Sequence, residues 1–218
     1  MEQVYGNKRL LILVFFSFVL FLFLTCSRSE NKEKRTVFLY NESAGITSLD
    51  PAFAKDQANI WVCNQLYNGL VQLDNQLETQ ACIAHSWNVS EDGKTYTFFL
   101  RNDVYFHTTD FFNFPQGKRK VIASDFVYSF NRIVDKTVAS PGAWIFNAVD
   151  TCKDGTYAFL AVDDTTLVIR LKESFPPFLK LLTMQYCSVV PKEVVDKFGK
   201  DFRKYPVGTG PFKFKMWK

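Results

Sequence analysis

Ser86-Trp87-Asn88-Val89-Ser90-Glu91-Asp92-Gly93-Lys94-Thr95-Tyr96-Thr97-Phe98-Phe99-Leu100-Arg101 holds two short runs on either side of a reverse turn. Asp tolerates a left-handed backbone and Gly has no Cβ to oppose it, so Asp92-Gly93 marks the turn. Beyond it, Tyr96, Phe98 and Leu100 alternate with Thr95, Thr97 and Arg101. That period of two sets one apolar row on a sheet face, and only Phe99 interrupts the polar row. The stretch predicts a β-hairpin with one buried face, to which Trp87, Tyr96, Phe98 and Leu100 contribute core.

Outward from the hairpin, strands and helices alternate without strict βαβ repetition. On the N-terminal side, Thr36-Val37-Phe38-Leu39-Tyr40 reads as a strand apolar enough to be buried on both faces. Small polar residues follow to Thr47, where Ser43-Ala44-Gly45 permits close approach of another backbone or a ligand. From Asp56, Val62, Cys63, Leu66, Tyr67 and Leu70 recur at helical spacing, with Gly69 placed to end the helix. A strand at 70–73 and an Asp74-Asn75 turn lead to the hairpin.

On the C-terminal side, a strand at 104–107 precedes a Phe-rich loop carrying Lys118-Arg119-Lys120, a basic run read as a solvated loop. Ser124-Asp125 opens a helix, Ser as N-cap and Asp complementing the helix dipole, with Phe126, Val127, Phe130, Ile133 and Val134 as its apolar stripe. The turn at 140–144 places Trp144 beside that helix. A second hairpin-like unit ends in the strand 166–171. Phe175-Pro176-Pro177-Phe178 hands over to a helix at 178–184, and a further helix runs between Pro191 and Gly199. Residues 212–217 read as a strand after the turn Val207-Gly208-Thr209-Gly210-Pro211.

With 47% hydrophobic and 17% aromatic residues, 23 of them Phe, the chain is too apolar to be disordered. The net charge of +4 arises mostly in residues 1–35, which carry six basic and three acidic groups. The remainder has no basic field for nucleic acid. Lys8-Arg9 followed by the apolar run 10–24 has the layout of a secretory signal, so residues 1–25 are expected to be a signal peptide. A run of that length reaches only ~22 Å at ~1.5 Å per residue, short of a ~30 Å hydrocarbon core. Phe23-Leu24-Thr25-Cys26 resembles a bacterial lipoprotein box, with Phe23 and Thr25 in place of the usual Leu and Gly or Ala. Cys26 is accordingly expected to carry lipid, and residues 26–35 to be a tether to the membrane. Cys63, Cys82, Cys152 and Cys187 permit three disulfide pairings or four buried free thiols, and their spacing does not suit zinc.

Several separated motifs then agree. Leu49-Asp50-Pro51, Tyr67-Asn68-Gly69-Leu70, Ala84-His85-Ser86-Trp87 with Asp92-Gly93, Leu100-Arg101 with Val104 and Phe106-His107, Ala123-Ser124-Asp125-Phe126-Val127-Tyr128-Ser129 and Val207-Gly208-Thr209-Gly210-Pro211-Phe212 occur in the order found in family 5 extracellular solute-binding proteins. The sequence resembles these oligopeptide- and dipeptide-binding components of ABC importers over nearly all of residues 36–218.

The resemblance implies a mixed α/β (α+β) fold of the periplasmic binding protein-like type II kind. Residues 36–55 would begin lobe I, 56–171 would form an inserted domain, and 172–218 would return to lobe I, with the second lobe missing through a truncation at the C-terminus. It also implies that Ser43, Ala44, Gly45, Ile46 and Thr47 lend main-chain groups to a bound peptide, as an added strand would. Near Thr108-Thr109-Asp110 the family's Asp-Gly-Thr is replaced by the longer Phe-rich insertion.

The expected function is therefore a non-catalytic, monomeric, cofactor-free substrate-binding component. It would take peptides outside the cytoplasmic membrane, in the periplasm or exterior of a bacterial cell, and deliver them to ABC permease subunits. The alternatives are a different small cargo (a nickel complex, haem or a sugar), a non-functional truncated paralogue, or a secreted hydrolase. For the last, His85 and His107 are the only histidines and neither sits in a recognisable catalytic motif.

Overall fold

The computed structural model describes residues 39–115 and 117–217. Glu42–Lys218 forms one compact unit. In sequence order it contains a 3-10 turn Pro51–Phe53, helix α1 (Gln57–Leu66), strands β1 (Val71–Leu73), β2 (Thr79–Ala81), β3 (Ala84–Val89), β4 (Thr95–Leu100), β5 (Tyr105–Phe106) and β6 (Arg119–Lys120), and helix α2 (Ala123–Val134). A 3-10 turn Ala143–Phe146, strands β7 (Phe159–Ala161) and β8 (Thr166–Arg170), helix α3 (Phe178–Leu181), a turn Gln185–Cys187, helix α4 (Lys192–Phe198) and a turn Gly199–Lys204 complete it.

The hairpin forms as its alternation predicts. β3 and β4 pair antiparallel around Gly93, whose φ is +67°. Asp92 holds the turn by accepting from Ser90 Oγ and Lys94 N. β8 joins the far edge of β4, pairing Phe98 with Leu167, and β7 joins β8, giving a four-stranded antiparallel sheet in the order β3-β4-β8-β7. Tyr96, Phe98, Leu100, Leu167 and Ile169 are buried on one face, while Trp87 is half-buried against the same core.

α2 covers that face. Phe130 meets Phe146 and Phe159 with ring centroids 4.9 and 5.4 Å apart. Aromatic pairs at such distances add to plain area burial.

Several expectations need correction. α2 starts two residues earlier than Ser124 predicts: Ile122 is the N-cap, and the Asp125 carboxylate accepts from its main-chain N–H at 2.9 Å. Asp125 reaches the N-cap amide from the third helical position, so no capping hydroxyl is needed. The turn carrying Trp144 does lie beside α2, through Phe146 on Phe130, although Trp144 itself is exposed.

α1 ends at Leu66, before Gly69, and the predicted helix 178–184 is only the short α3, since Met184 is already extended. Leu39 and Tyr40 are exposed and belong to no strand, and residues 36–38 lie outside the described residues. Residues 212–217 likewise form no strand. At 212–217 the apolar pattern is present, but a strand requires a neighbour to pair with, and no ladder partner lies there among the described residues.

The basic run is the clearest departure from a solvated loop. Arg119 lies in β6, paired with β5, and its guanidinium bonds both oxygens of Asp125 at 3.1 and 2.7 Å and Glu193 at 2.9 Å. The Phe-rich loop also turns inward. Phe114 and Thr109 are buried, and Phe111 packs against Phe198, Tyr205 and Phe214.

Candidate functional site

Residues 43–47 form an exposed loop whose far end is tightly held. Ser43, Ala44, Gly45 and Thr47 are exposed, and Ile46 is half-buried against the core. Gly45 has φ +70°, and a Cβ built on it would meet nothing within 4 Å. The backbone conformation, not crowding, therefore selects glycine. Ala44 N donates to Glu42 Oε1 at 3.1 Å. Ser43 and Ala44 form a turn between Glu42 and Gly45, and the main-chain groups of Ser43 and Ile46 have no hydrogen-bond partner among the described residues. An extended ligand backbone can bond to such groups without reading side chains.

The next residues are pinned from four directions. Asn59 of α1 bonds Thr47 and Ser48. Leu49 N donates to Arg203 O at 2.9 Å, and Leu49 O accepts from Tyr67 Oη at 2.9 Å. Burial pushes the Tyr67 phenol well above its ordinary value, so it stays protonated and able to donate.

Asp50 Oδ1 caps the turn Pro51–Phe53 through Ala52 N at 3.0 Å. It also takes Arg132 Nη1 at 2.9 Å, while Arg132 Nη2 bonds Asp50 Oδ2 in a bidentate pair. Arg132 sits 5.7 Å from the Phe202 ring centroid. Both partners are largely buried, with side-chain exposures of 10% and 4%, so this is a structural pin between the first segment and α2.

A cavity of about 740 Å³ begins at Thr47 and Ser48 and runs past Asp50 and Arg132 to Val195 and Arg203. The Thr47 end of the loop thus borders open space. Sequence reasoning singled out 43–47 but missed Asn59, Arg132 and Tyr67. The Asp56-x-x-Asn59 spacing at a helix start was the available signal for Asn59. Arg132 lies 82 residues from Asp50 and offered none.

The other candidate residues lie elsewhere. Cys63, Cys82, Cys152 and Cys187 are all free thiols. Burial pushes Cys63 up to about 12, with Asp50 and Asp56 adding to the effect, and Cys187 is raised by burial alone. Cys26 lies outside the described residues. His85 Nδ1 is 3.0 Å from Ser86 Oγ on an exposed part of β3, and the ring stacks on Phe99. Burial lowers the His107 pKa, and Lys213 adds to this, against a main-chain hydrogen bond with Gly210. Among the described residues no cluster of three or more His, Cys, Asp or Glu is placed to hold a metal ion, and no helix is long and apolar enough to cross a membrane.

Known proteins share this fold. The glutathione-binding protein GsiB of Escherichia coli K12 is 31% identical over 176 residues, covering 80% of this chain and 31% of GsiB. The periplasmic binding protein DppA of Helicobacter pylori, solved with the peptide STSA, superposes with a TM-score of 0.68 at 33% identity, covering 79% of this chain and 35% of DppA. Haemophilus influenzae OppA, solved with the peptide RPPGFSPFR, gives 0.67 at 31% identity, covering 76% and 33%.

The chain thus spans about a third of the length of these relatives. The model of the bacterial extracellular solute-binding proteins, family 5 Middle, matches residues 78–218, which include the hairpin, the sheet and α2. With most of its length matched by that model and its fold shared with peptide-binding relatives, the chain belongs to the family 5 bacterial extracellular solute-binding proteins.

Proposed function

We propose that this chain supplies the ligand-receiving part of a substrate-binding component of an ABC importer, and that its cargo is a peptide. One observation carries the reading: in a member of this family, the loop 43–47 presents main-chain groups without partners among the described residues, beside open space, while its far end is pinned. Residues 36–55 and 172–218 belong to the first lobe and 56–171 to an inserted domain. In the whole protein a second lobe closes over the loop, and the loaded monomer docks on permease subunits. The peptide-bearing relatives support this cargo, and the glutathione-binding relative lends support to small modified peptides as well.

The protein works outside the cytoplasmic membrane. Residues 1–25 direct export, Cys26 takes the lipid, and 26–35 is the tether. Fatty-acid labelling that disappears in Cys26→Ser checks the anchor, and label surviving that change refutes it.

Thermal unfolding of the full chain with a mixture of tri- to nonapeptides, and separately with glutathione, tests the cargo. Ligand at a hundred times its dissociation constant stabilises by ~2.7 kcal/mol, which raises the midpoint by several degrees. An unmoved midpoint with every peptide removes the cargo assignment.

A further inference from the structure

The Asn59 side chain is 1% exposed, and its whole hydrogen-bonding capacity is spent. Oδ1 accepts from Thr47 N at 3.1 Å and from Ser48 N at 3.4 Å. Nδ2 donates to Thr47 Oγ1 at 2.8 Å and to Asp56 Oδ2 at 3.0 Å. An amide has two acceptor and two donor sites, so all four are filled. The amide's orientation is fixed as well. Turned over, it would set its NH2 against two main-chain N–H groups and its oxygen against the Asp56 carboxylate. Asp56 in turn is held by its own task, accepting Asn59 N through Oδ1 at 3.0 Å as the N-cap of α1.

We infer that Asn59 is a positioning residue for ligand binding: it reads Thr47 through both main-chain and hydroxyl groups, and so fixes the direction in which residues 43–46 offer their main-chain groups. This rests on the peptide-binding reading of the loop. Asn59 is the sole side chain among the described residues that bonds Thr47. Without the amide the loop would pivot at Thr47. A preorganised loop spares the ordering cost of binding, and a loose one incurs it in affinity.

Asn59→Leu keeps the branched shape in a bulkier side chain and removes all four bonds. Thr47→Val removes only the hydroxyl, and Thr47→Ser keeps it. Two measurements on the full chain separate the questions: ligand-free hydrogen exchange at amides 44–48, and calorimetric titration with a defined peptide mixture.

The expectation is faster exchange confined to the loop in Asn59→Leu, together with about tenfold or greater loss of affinity, the scale set by losing hydrogen bonds to buried amides. Thr47→Val weakens binding less, Thr47→Ser binds within about twofold of the parent, and adding Thr47→Val to Asn59→Leu costs little more, because both act through one contact. Loop exchange that stays unchanged in a folded Asn59→Leu overturns the inference. So does parental affinity in that variant. If Asn59→Leu does not fold, Thr47→Val against Thr47→Ser decides: equal loop exchange and equal affinity in those two overturn it. A parent that binds no peptide while the variants loosen the loop refutes the peptide reading and leaves Asn59 as the residue that holds the loop.

Discussion

Among single residues, the Asp50–Arg132 pair decides how firmly the first segment is held. Removing one partner of a buried, bidentate pair leaves the other charge without compensation, at a cost of ~3–5 kcal/mol. Asp50→Ala should therefore lower unfolding free energy by that amount in urea denaturation. A loss under about 1 kcal/mol, the range of an exposed ion pair, would show that the pair is not buried in solution.

His107 gives a pH dependence. Its folded pKa lies below the ordinary 6.5, chiefly through burial. The unfolded protein thus binds more protons in the window below 6.5, so stability is present at neutral pH and is lost as pH falls through that window. His107→Gln should flatten part of that fall, and an unchanged pH profile in the variant would contradict the assignment. Neither residue's role was legible locally. Asp50 reads as a turn residue before Pro51, and its partner comes from a helix far along the sequence.

Among the helices, strands and turns, legibility followed how local the cause is. The β3–β4 hairpin was readable because alternation and an Asp-Gly turn act within sixteen residues. The stripe on α2 was readable for the same reason, although its cap was not: Asp125, not Ser124, satisfies the first amide. Arg119 looked like a loop charge because its partners, Asp125 in α2 and Glu193 74 residues on, meet it only in the folded arrangement. The segment 212–217 looked like a strand because apolar pattern alone does not report whether a partner is alongside.

The Gly-Thr-Gly turn was legible as a motif, but its physical task emerges only from packing. Gly210 N and Phe212 N donate to Leu66 O and Gln65 O at 2.9 Å, closing the C-terminal end of α1. A Cβ on Gly208 would lie 2.0 Å from Leu66 O, and one on Gly210 2.5 Å from Gln65 O. Gly208→Ala should destabilise by ~1–3 kcal/mol, as overpacking against backbone does. Because α1 carries Asn59, the same change should also loosen the loop at 43–47. A variant as stable as the parent would place the turn away from α1.

In the molecule as a whole, the sheet, α2 and the aromatic core form the scaffold, and the exposed loop at 43–47 is the part we propose receives a ligand. The family and the mixed α/β fold were both readable from motifs spaced along the sequence, because many short signals in a fixed order restrict the fold more than any one does. The loop itself was readable only as a run of small residues. Its anchor at Asn59, its glycine with positive φ and the adjoining cavity required the three-dimensional arrangement.

Hydrogen exchange of the full chain, with and without a bound peptide, bears on that division of labour without an intermediate step. New protection should concentrate at the amides of residues 43–47, with little change in the β3–β4 hairpin. Peptide binding that leaves 43–47 unprotected, or that protects the hairpin face instead, would contradict the ligand role of the loop.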